Sequence, residues 1–168
     1  MHDELTEVDI RKMQEEIDHR ICELRPQLNA EVKSARAFGD LSENYEYKEA
    51  KRQRGRNESR IRYLQNMIKT AHVIDEAPKQ SSVVGLFDKV TLYFEEDEME
   101  QTIQVVTTIR TDPDQGLISK ESPLGKAVLG RRAGDRVEVQ VSPQYHYAVL
   151  IRAITQAEDD GSAPILPF

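Results

Sequence analysis

Apolar residues in the first third of the chain recur at Ile10, Met13, Ile17, Ile21, Leu24, Leu28, Val32 and Ala35, in steps of 3 and 4. The repeat is eleven residues long, near ~3.67 per turn, and predicts a long helix with a straight or slightly right-handed seam. Thr6-Glu7-Val8-Asp9 has the form of a capping box, and Leu5 with Ile10 occupies the positions of a hydrophobic staple, so the helix is expected to begin there. Pro26 removes one backbone hydrogen bond, which predicts a local kink. The apolar stripe continues on both sides of it, so one helix is expected from Thr6 to Ala37, spanning on the order of 45 Å.

A second helical pattern runs through Tyr47, Ala50, Ile61, Leu64 and Ile68. Arg54 and Asn57 fall on the same face, and Gly55 weakens the segment by up to ~1 kcal/mol relative to Ala, so the middle is polar where it should pack. After Val73-Ile74-Asp75 the stretch from Glu76 to Ser82, with Pro78, reads as a linker. Beyond it the period becomes two, predicting strands over 89–94, 101–109, 136–141 and 145–151. Ser122 to Gly130 reads as a short helix with Ser122 as its cap and Pro123 at its first position. The expected architecture is α+β. An antiparallel α-helical coiled coil over residues 1–76, with its tip at 38–44, precedes a linker over 77–82. A small antiparallel β-sheet domain with one short helix then covers 83–156, and 157–168 is a flexible tail.

Composition narrows the function. The formal net charge of -7 argues against a protein that coats nucleic acid generally. Its distribution matters more than its sum. Residues 1–44 carry 6 basic and 11 acidic groups while residues 45–76 carry 8 and 5, so the second helix is the positive one. No apolar run approaches the ~20 residues of a membrane span, and Met1-His2-Asp3-Glu4 lacks the basic and apolar regions of a signal peptide, so a cytoplasmic protein is expected. Cys22 is the single cysteine and the 4 histidines are scattered, which excludes an internal disulfide and gives no zinc-ligand spacing.

The turn Phe38-Gly39-Asp40-Leu41-Ser42-Glu43-Asn44 lies between the two helical patterns. If the helices pair, Asp40 and Glu43 are carried at the end of a rod. Mg²⁺ is commonly held by only one or two protein carboxylates, with water and phosphate oxygens completing the octahedron. Asp40 and Glu43 supply that number, and nothing else in the turn completes a site, so a metal shared with a partner and an RNA phosphate fits better than one bound by this chain alone. The plainer alternative is that Asp40 and Glu43 form a capping box for the second helix. The apolar Phe38 and Leu41 in a projecting turn, and Ser42 as an equally good cap, weigh against it. Lys48, Arg52, Arg56 and Arg60 form an i, i+4 ladder of like charge costing the isolated helix on the order of 1 kcal/mol, which a phosphate-tracking stripe explains. In the second half Asp88, Asp135 and Glu138 stand apart at strand edges, and Tyr145-His146-Tyr147 alternates between core and surface. That half contains no nucleophile and base arrangement.

The stretch from Ala35 to Lys48, with Arg60-Ile61, Val73-Ile74-Asp75, Ile118 to Gly130, Gly134-Asp135 and Val137-Glu138-Val139, closely resembles the bacterial transcript cleavage factors GreA and GreB. The resemblance covers nearly all of the chain except the tail. It implies a coiled coil that enters the secondary channel of a backtracked RNA polymerase and a C-terminal domain of FKBP-like fold that grips the rim. It also implies that Asp40 and Glu43, supported by Ser42, help hold an Mg²⁺ and a water in the polymerase active site. The RNA 3′ segment is then hydrolysed by the polymerase itself. By position Glu121, Ser122 and Pro123 would lie at the polymerase contact, and Lys48, Arg52, Arg56 and Arg60 would face nascent RNA. The implied protein is a monomer that binds no cofactor alone and shares Mg²⁺ with RNA polymerase. A paralogue that occupies the channel without promoting cleavage is the alternative, against which the intact acids count. Tyr45 stands where a small residue is usual, and 105–116 lacks the family's common strand-end sequence. A prolyl isomerase activity would need an aromatic pocket that a chain without Trp is poorly equipped to build.

Overall fold

A computed structural model of the chain describes residues 4–39, 44–74 and 82–166. In chain order its elements are β1 (Glu4–Leu5), α1 (Glu7–His19), a π-helical turn (Arg20–Leu24), α2 (Arg25–Arg36), α3 (Tyr45–Thr70), β2 (His72–Val73), β3 (Lys89–Phe94), β4 (Met99–Val106), β5 (Leu117–Ser119), α4 (Pro123–Val128), β6 (Arg136–Ser142) and β7 (Tyr145–Thr155). They fall into two compact units, one formed by Ile10–Ala71 and the other by Glu4–Asp9 with the chain from His72 onward.

In the helical unit, Met13, Ile17 and Ala35 are buried and Ile10, Ile21, Leu24, Leu28 and Val32 half-buried, which matches the eleven-residue stripe position by position. The kink expected at Pro26 is a π turn placed just ahead of it. Arg25 N–H donates five residues back to Arg20 O, widening the helix where the proline ring would crowd the carbonyl four residues before it, and the backbone continues helical through Arg25. The facing pairs Ala35 with Asn44, Arg25 with Glu58, Arg20 with Asn57 and Glu16 with Arg60 run in opposite chain directions, so the helices are antiparallel.

The polar middle of α3 is packed after all. Asn57 and Arg60 are each only 3% exposed. Glu16 Oε1 accepts from Arg20 Nε at 2.7 Å and from Arg60 Nε at 2.8 Å, and Glu16 Oε2 accepts from Arg60 Nη2 at 3.0 Å. Arg20 Nη1 donates to Asn57 Oδ1 at 3.1 Å, while Asn57 Nδ2 donates to Arg20 O at 3.3 Å. Buried polar groups are tolerated where each finds partners, and this network replaces the missing aliphatic layer.

The second unit holds a five-stranded sheet in the order β5-β4-β3-β7-β6. Its pairs are antiparallel except β4 with β5, which is parallel and corrects the all-antiparallel expectation. The strand expected to reach Ile109 stops at Val106, because the chain tightens into a 3₁₀ turn at Thr108–Arg110 that carries Ile109 and Arg110 inward. After a second such turn at Pro113–Gln115 and a left-handed Gly116, β5 returns beside β4. Val90, Leu92, Ile103, Val105, Val137, Val139, Val149 and Ile151, with Val128 of α4, form the core, as period-two strands with one buried face require. Ser122 caps α4 as expected, its Oγ accepting from Gly125 N–H at 3.0 Å.

Two features of this unit carried no periodic signal. β1 and β2 pair in parallel, Glu4 opposite His72 and Leu5 opposite Val73. Arg110, 1% exposed, donates from Nε to Asp9 Oδ1 at 2.5 Å and from Nη1 and Nη2 to Asp159 Oδ1 and Oδ2 at 2.5 and 2.6 Å, with its guanidinium 5.2 Å from the Phe87 ring centroid. Asp159 and the bond from Leu166 N–H to Ile109 O tie down the segment expected to be a flexible tail. Thr6 and Asp9 form the expected capping box, Thr6 N–H to Asp9 Oδ2 at 2.9 Å and Asp9 N–H to Thr6 Oγ1 at 3.2 Å. Asp9 therefore both caps α1 and pairs with Arg110.

Candidate functional site

Asp40, Leu41, Ser42 and Glu43 lie outside the described residues, so the candidate tip is read from its two flanks. On the entering side, α2 closes with Ala37 N–H on Ser34 O at 3.0 Å, and Gly39 adopts φ 113, a left-handed value that suits glycine. On the leaving side, Asn44 is the N-cap of α3, its Oδ1 accepting from Tyr47 N–H at 2.9 Å. Asn44 Nδ2 also donates to Ala35 O at 2.8 Å, so one amide closes the base of the turn by tying the end of α2 to the start of α3. The N-cap position that an Asp-x-x-Glu spacing ordinarily serves is filled by Asn44. Phe38 and Tyr45, at the two edges of the turn, are 75% and 85% exposed.

Lys48, Arg52 and Arg56 are exposed along α3, but Arg60 is not part of that surface. An i, i+4 step turns about 40° around a helix of 3.6 residues per turn, so three steps carry the ladder by about 120° and its last member into the packed face. There Arg60 binds Glu16 and is removed from any RNA-facing set. Arg52 also has a partner, Glu49, at 2.9 Å. Bonds from Arg52 and Gln53 hold the Glu49 carboxyl below the usual glutamate range, and bonds from Arg25 do the same for Glu58. For Glu16, burial pushes the carboxyl up, yet the bonds from Arg60 and Arg20 more than offset it and the net direction is down.

In the sheet unit, Glu121 and Pro123 are exposed, whereas Ser122 is committed to α4, accepting from Gly125 and donating its hydroxyl to Ser119 O at 2.7 Å. Glu121 Oε2 lies 3.1 Å from Lys126 Nζ. Lys120 pairs with Glu4, which ties β1 to this same loop. Asp88, read as an isolated acid, is buried and accepts from Gly85 N–H at 2.7 Å and Ala157 N–H at 3.1 Å. Among the described residues no group of three or more His, Cys, Asp or Glu could hold a metal ion, and no helix is long and apolar enough to cross a membrane. What the described surface offers is a hairpin tip closed by one asparagine, a short cationic stripe behind it, and an exposed loop at the start of α4.

Comparison with known proteins gives a consistent result. The family model described as transcription elongation factor, N-terminal, matches residues 4–73, and that described as transcription elongation factor, GreA/GreB, C-term, matches residues 79–156. Among curated relatives, the transcription elongation factor GreA of Oenococcus oeni is 37% identical over 154 residues, 92% of this chain and 95% of the relative. That of Geobacillus kaustophilus is 42% identical over 129 residues, 77% of this chain and 82% of the relative. Among solved structures, the GreA factor homolog 1 protein of Thermus thermophilus is 23% identical, with 93% of this chain and 100% of that chain covered at a TM-score of 0.43.

Proposed function

The chain belongs to the GreA/GreB family of transcription elongation factors, and on that premise we propose that it binds RNA polymerase, enters its secondary channel and stimulates Mg²⁺-dependent cleavage of the RNA 3′ end in backtracked complexes. The observation that supports this reading is the cap of α3. Asn44 is its N-cap and bridges to Ala35, so the N-cap position that the Asp-x-x-Glu spacing could have supplied is held by another residue.

In the complex, an Mg²⁺ shared with the polymerase would supply Lewis-acid activation of the attacking water. Asp40 and Glu43 fit such an ion, because Mg²⁺ needs few protein carboxylates and keeps several waters. The chain's own contribution is positioning. The paired helices carry the carboxylates to the partner, Ser42 supports the turn, and Lys48, Arg52 and Arg56 offer charge to the phosphates of extruded RNA. Glu121 and Pro123 contact the polymerase beside α4, with Ser122 shaping that loop from within. On this reading the protein acts as a cytoplasmic monomer, binds no cofactor alone and is an accessory factor rather than a nuclease.

The test is RNA cleavage in a stalled elongation complex with wild type, Asp40→Ala and Glu43→Ala across a range of Mg²⁺ concentrations. Both variants are expected to lose stimulation while still competing with wild type for polymerase. Cleavage by both variants at the wild-type rate would overturn the proposal.

A further inference from the structure

Two aromatic side chains on α3 keep much of their surface in solvent. Tyr45 is 85% exposed and Tyr63 43% exposed. They are 18 residues apart, five full turns at 3.6 residues per turn, so they lie on one line along the helix, on the order of 27 Å apart. Lys48, Arg52 and Arg56 project within about 60° of that line and are all exposed. Cations flanked by aromatic rings along one face are the composition that binds single-stranded nucleic acid, the charge tracking the backbone and the rings stacking on bases. We propose that Tyr45 and Tyr63 are base-stacking platforms for extruded RNA, with Lys48, Arg52 and Arg56 taking the phosphates between them. This deepens the function proposed above and rests on it.

Tyr63 is held ready for that role. The Arg60 guanidinium sits 5.6 Å from its ring centroid and is itself fixed by both oxygens of Glu16. A cation held against the ring orders it in advance, which lowers the cost of fixing it when a base arrives. The buried Arg60, lost as a phosphate contact, thus supports the ring beside the track. Tyr45 borders a recess of about 360 Å³ lined also by Glu31, Glu46, Glu49, Ala50 and Gln53. Its three carboxylates repel phosphate, so the strand is confined to the side of α3 that carries Lys48 and Arg52. At a stacked rise of ~3.4 Å per nucleotide, the distance between the rings takes about eight nucleotides, and fewer if the strand is extended. Tyr45 therefore meets RNA of any extruded length, and Tyr63 meets only the longer ones.

The experiment uses the full chain with elongation complexes backtracked by two and by about eight nucleotides, with 4-thiouridine at the RNA 3′ end for photocrosslinking. Tyr45→Ala is expected to slow cleavage of both RNAs, and Tyr63→Ala only of the longer, each by roughly 5- to 100-fold at subsaturating factor. Tyr→Phe at either position should keep the wild-type rate, and the salt dependence should stay unchanged because no charge is lost. Tyr45, most of whose surface is already in solvent, keeps the test valid if Tyr63→Ala loosens the hairpin. Alanine variants matching wild type in rate and crosslinking on both RNAs would overturn the platforms. Should wild type fail to speed cleavage yet crosslink to the longer RNA through the tyrosines, the cleavage reading falls and the platforms stand.

Discussion

Replacing Arg60 separates a structural role from an RNA-binding one. Arg60→Met keeps the aliphatic stem but removes a guanidinium that is 3% exposed and makes two bonds to Glu16, at 2.8 and 3.0 Å. Breaking a buried pair costs about 3–5 kcal/mol when the remaining charge has no other partner. Here Glu16 is 22% exposed and keeps Arg20 at 2.7 Å, so a loss of about 1–3 kcal/mol is expected, the range for charge-assisted bonds. At ~4–8 °C per kcal/mol for a unit of this size, the hairpin should melt lower by on the order of 5–20 °C, read as helicity in thermal unfolding by circular dichroism. Arg56→Ala, on the solvated face, should stay within ~0.5 kcal/mol of wild type. The salt dependence of RNA cleavage should reverse the ranking, because each lost phosphate contact with a single strand lowers the slope by about 0.7. Arg56→Ala is expected to lower that slope and Arg60→Met to leave it alone. An unchanged melting temperature together with a lowered slope for Arg60→Met would refute the assignment of Arg60 to the interhelical network.

Further outcomes follow from other contacts. Arg110→Met leaves the Asp9 and Asp159 carboxylates buried without their cation and should cost about 3–5 kcal/mol, more than Asp159→Ala, which leaves Asp9 to balance Arg110; thermal unfolding ranks them, and an equal small loss for both would refute the buried triad. Because the Glu16 carboxyl is held below its ordinary value of 4.5 in the folded chain, its contribution is complete above that value and disappears as pH falls through the lowered one; helicity followed by acid titration should show a loss there that Arg60→Met diminishes. Gly125→Ala would place a Cβ 2.1 Å from Ser119 O and 3.0 Å from Lys120 Cα, backbone atoms of the neighbouring segment, and should destabilise the sheet unit by at least ~1–3 kcal/mol in denaturant titration. Gly55→Ala, with nothing within 4 Å of the added methyl, should instead stabilise α3 by up to ~1 kcal/mol.

What could be read from the amino acids followed how each element is stabilised. The stripe from Ile10 to Ala35, the Thr6 and Asp9 capping box, the Ser122 cap and β3 emerged directly, because each is local and periodic. Arg60 was misplaced because an i, i+4 spacing looks continuous in one dimension while it drifts around the helix, and its partner Glu16 lies 44 residues away. Asn57 similarly looks like a defect in the apolar pattern until Arg20 is placed beside it. β1, β2 and β5 contain two or three residues each, too few to show a period, and Arg110 gave no local sign of two aspartates drawn from distant parts of the chain. At the candidate site, the acidic spacing was plain in the sequence, but the decisive residue is Asn44, whose bond to Ala35 exists only once the hairpin has closed.

The Arg110 cluster also bears on how the protein is made. Asp9 precedes Arg110 by 101 residues and Asp159 follows it by 49. At a translation rate of ~5–20 residues per second, the ribosome needs on the order of 2 to 10 s after Arg110 to add its last partner. Until then two donors of a side chain destined for the interior have only water to bind. The sheet can pair as it emerges, but its final locking waits for Asp159, so a nascent chain stalled short of that residue would be the form most exposed to proteolysis.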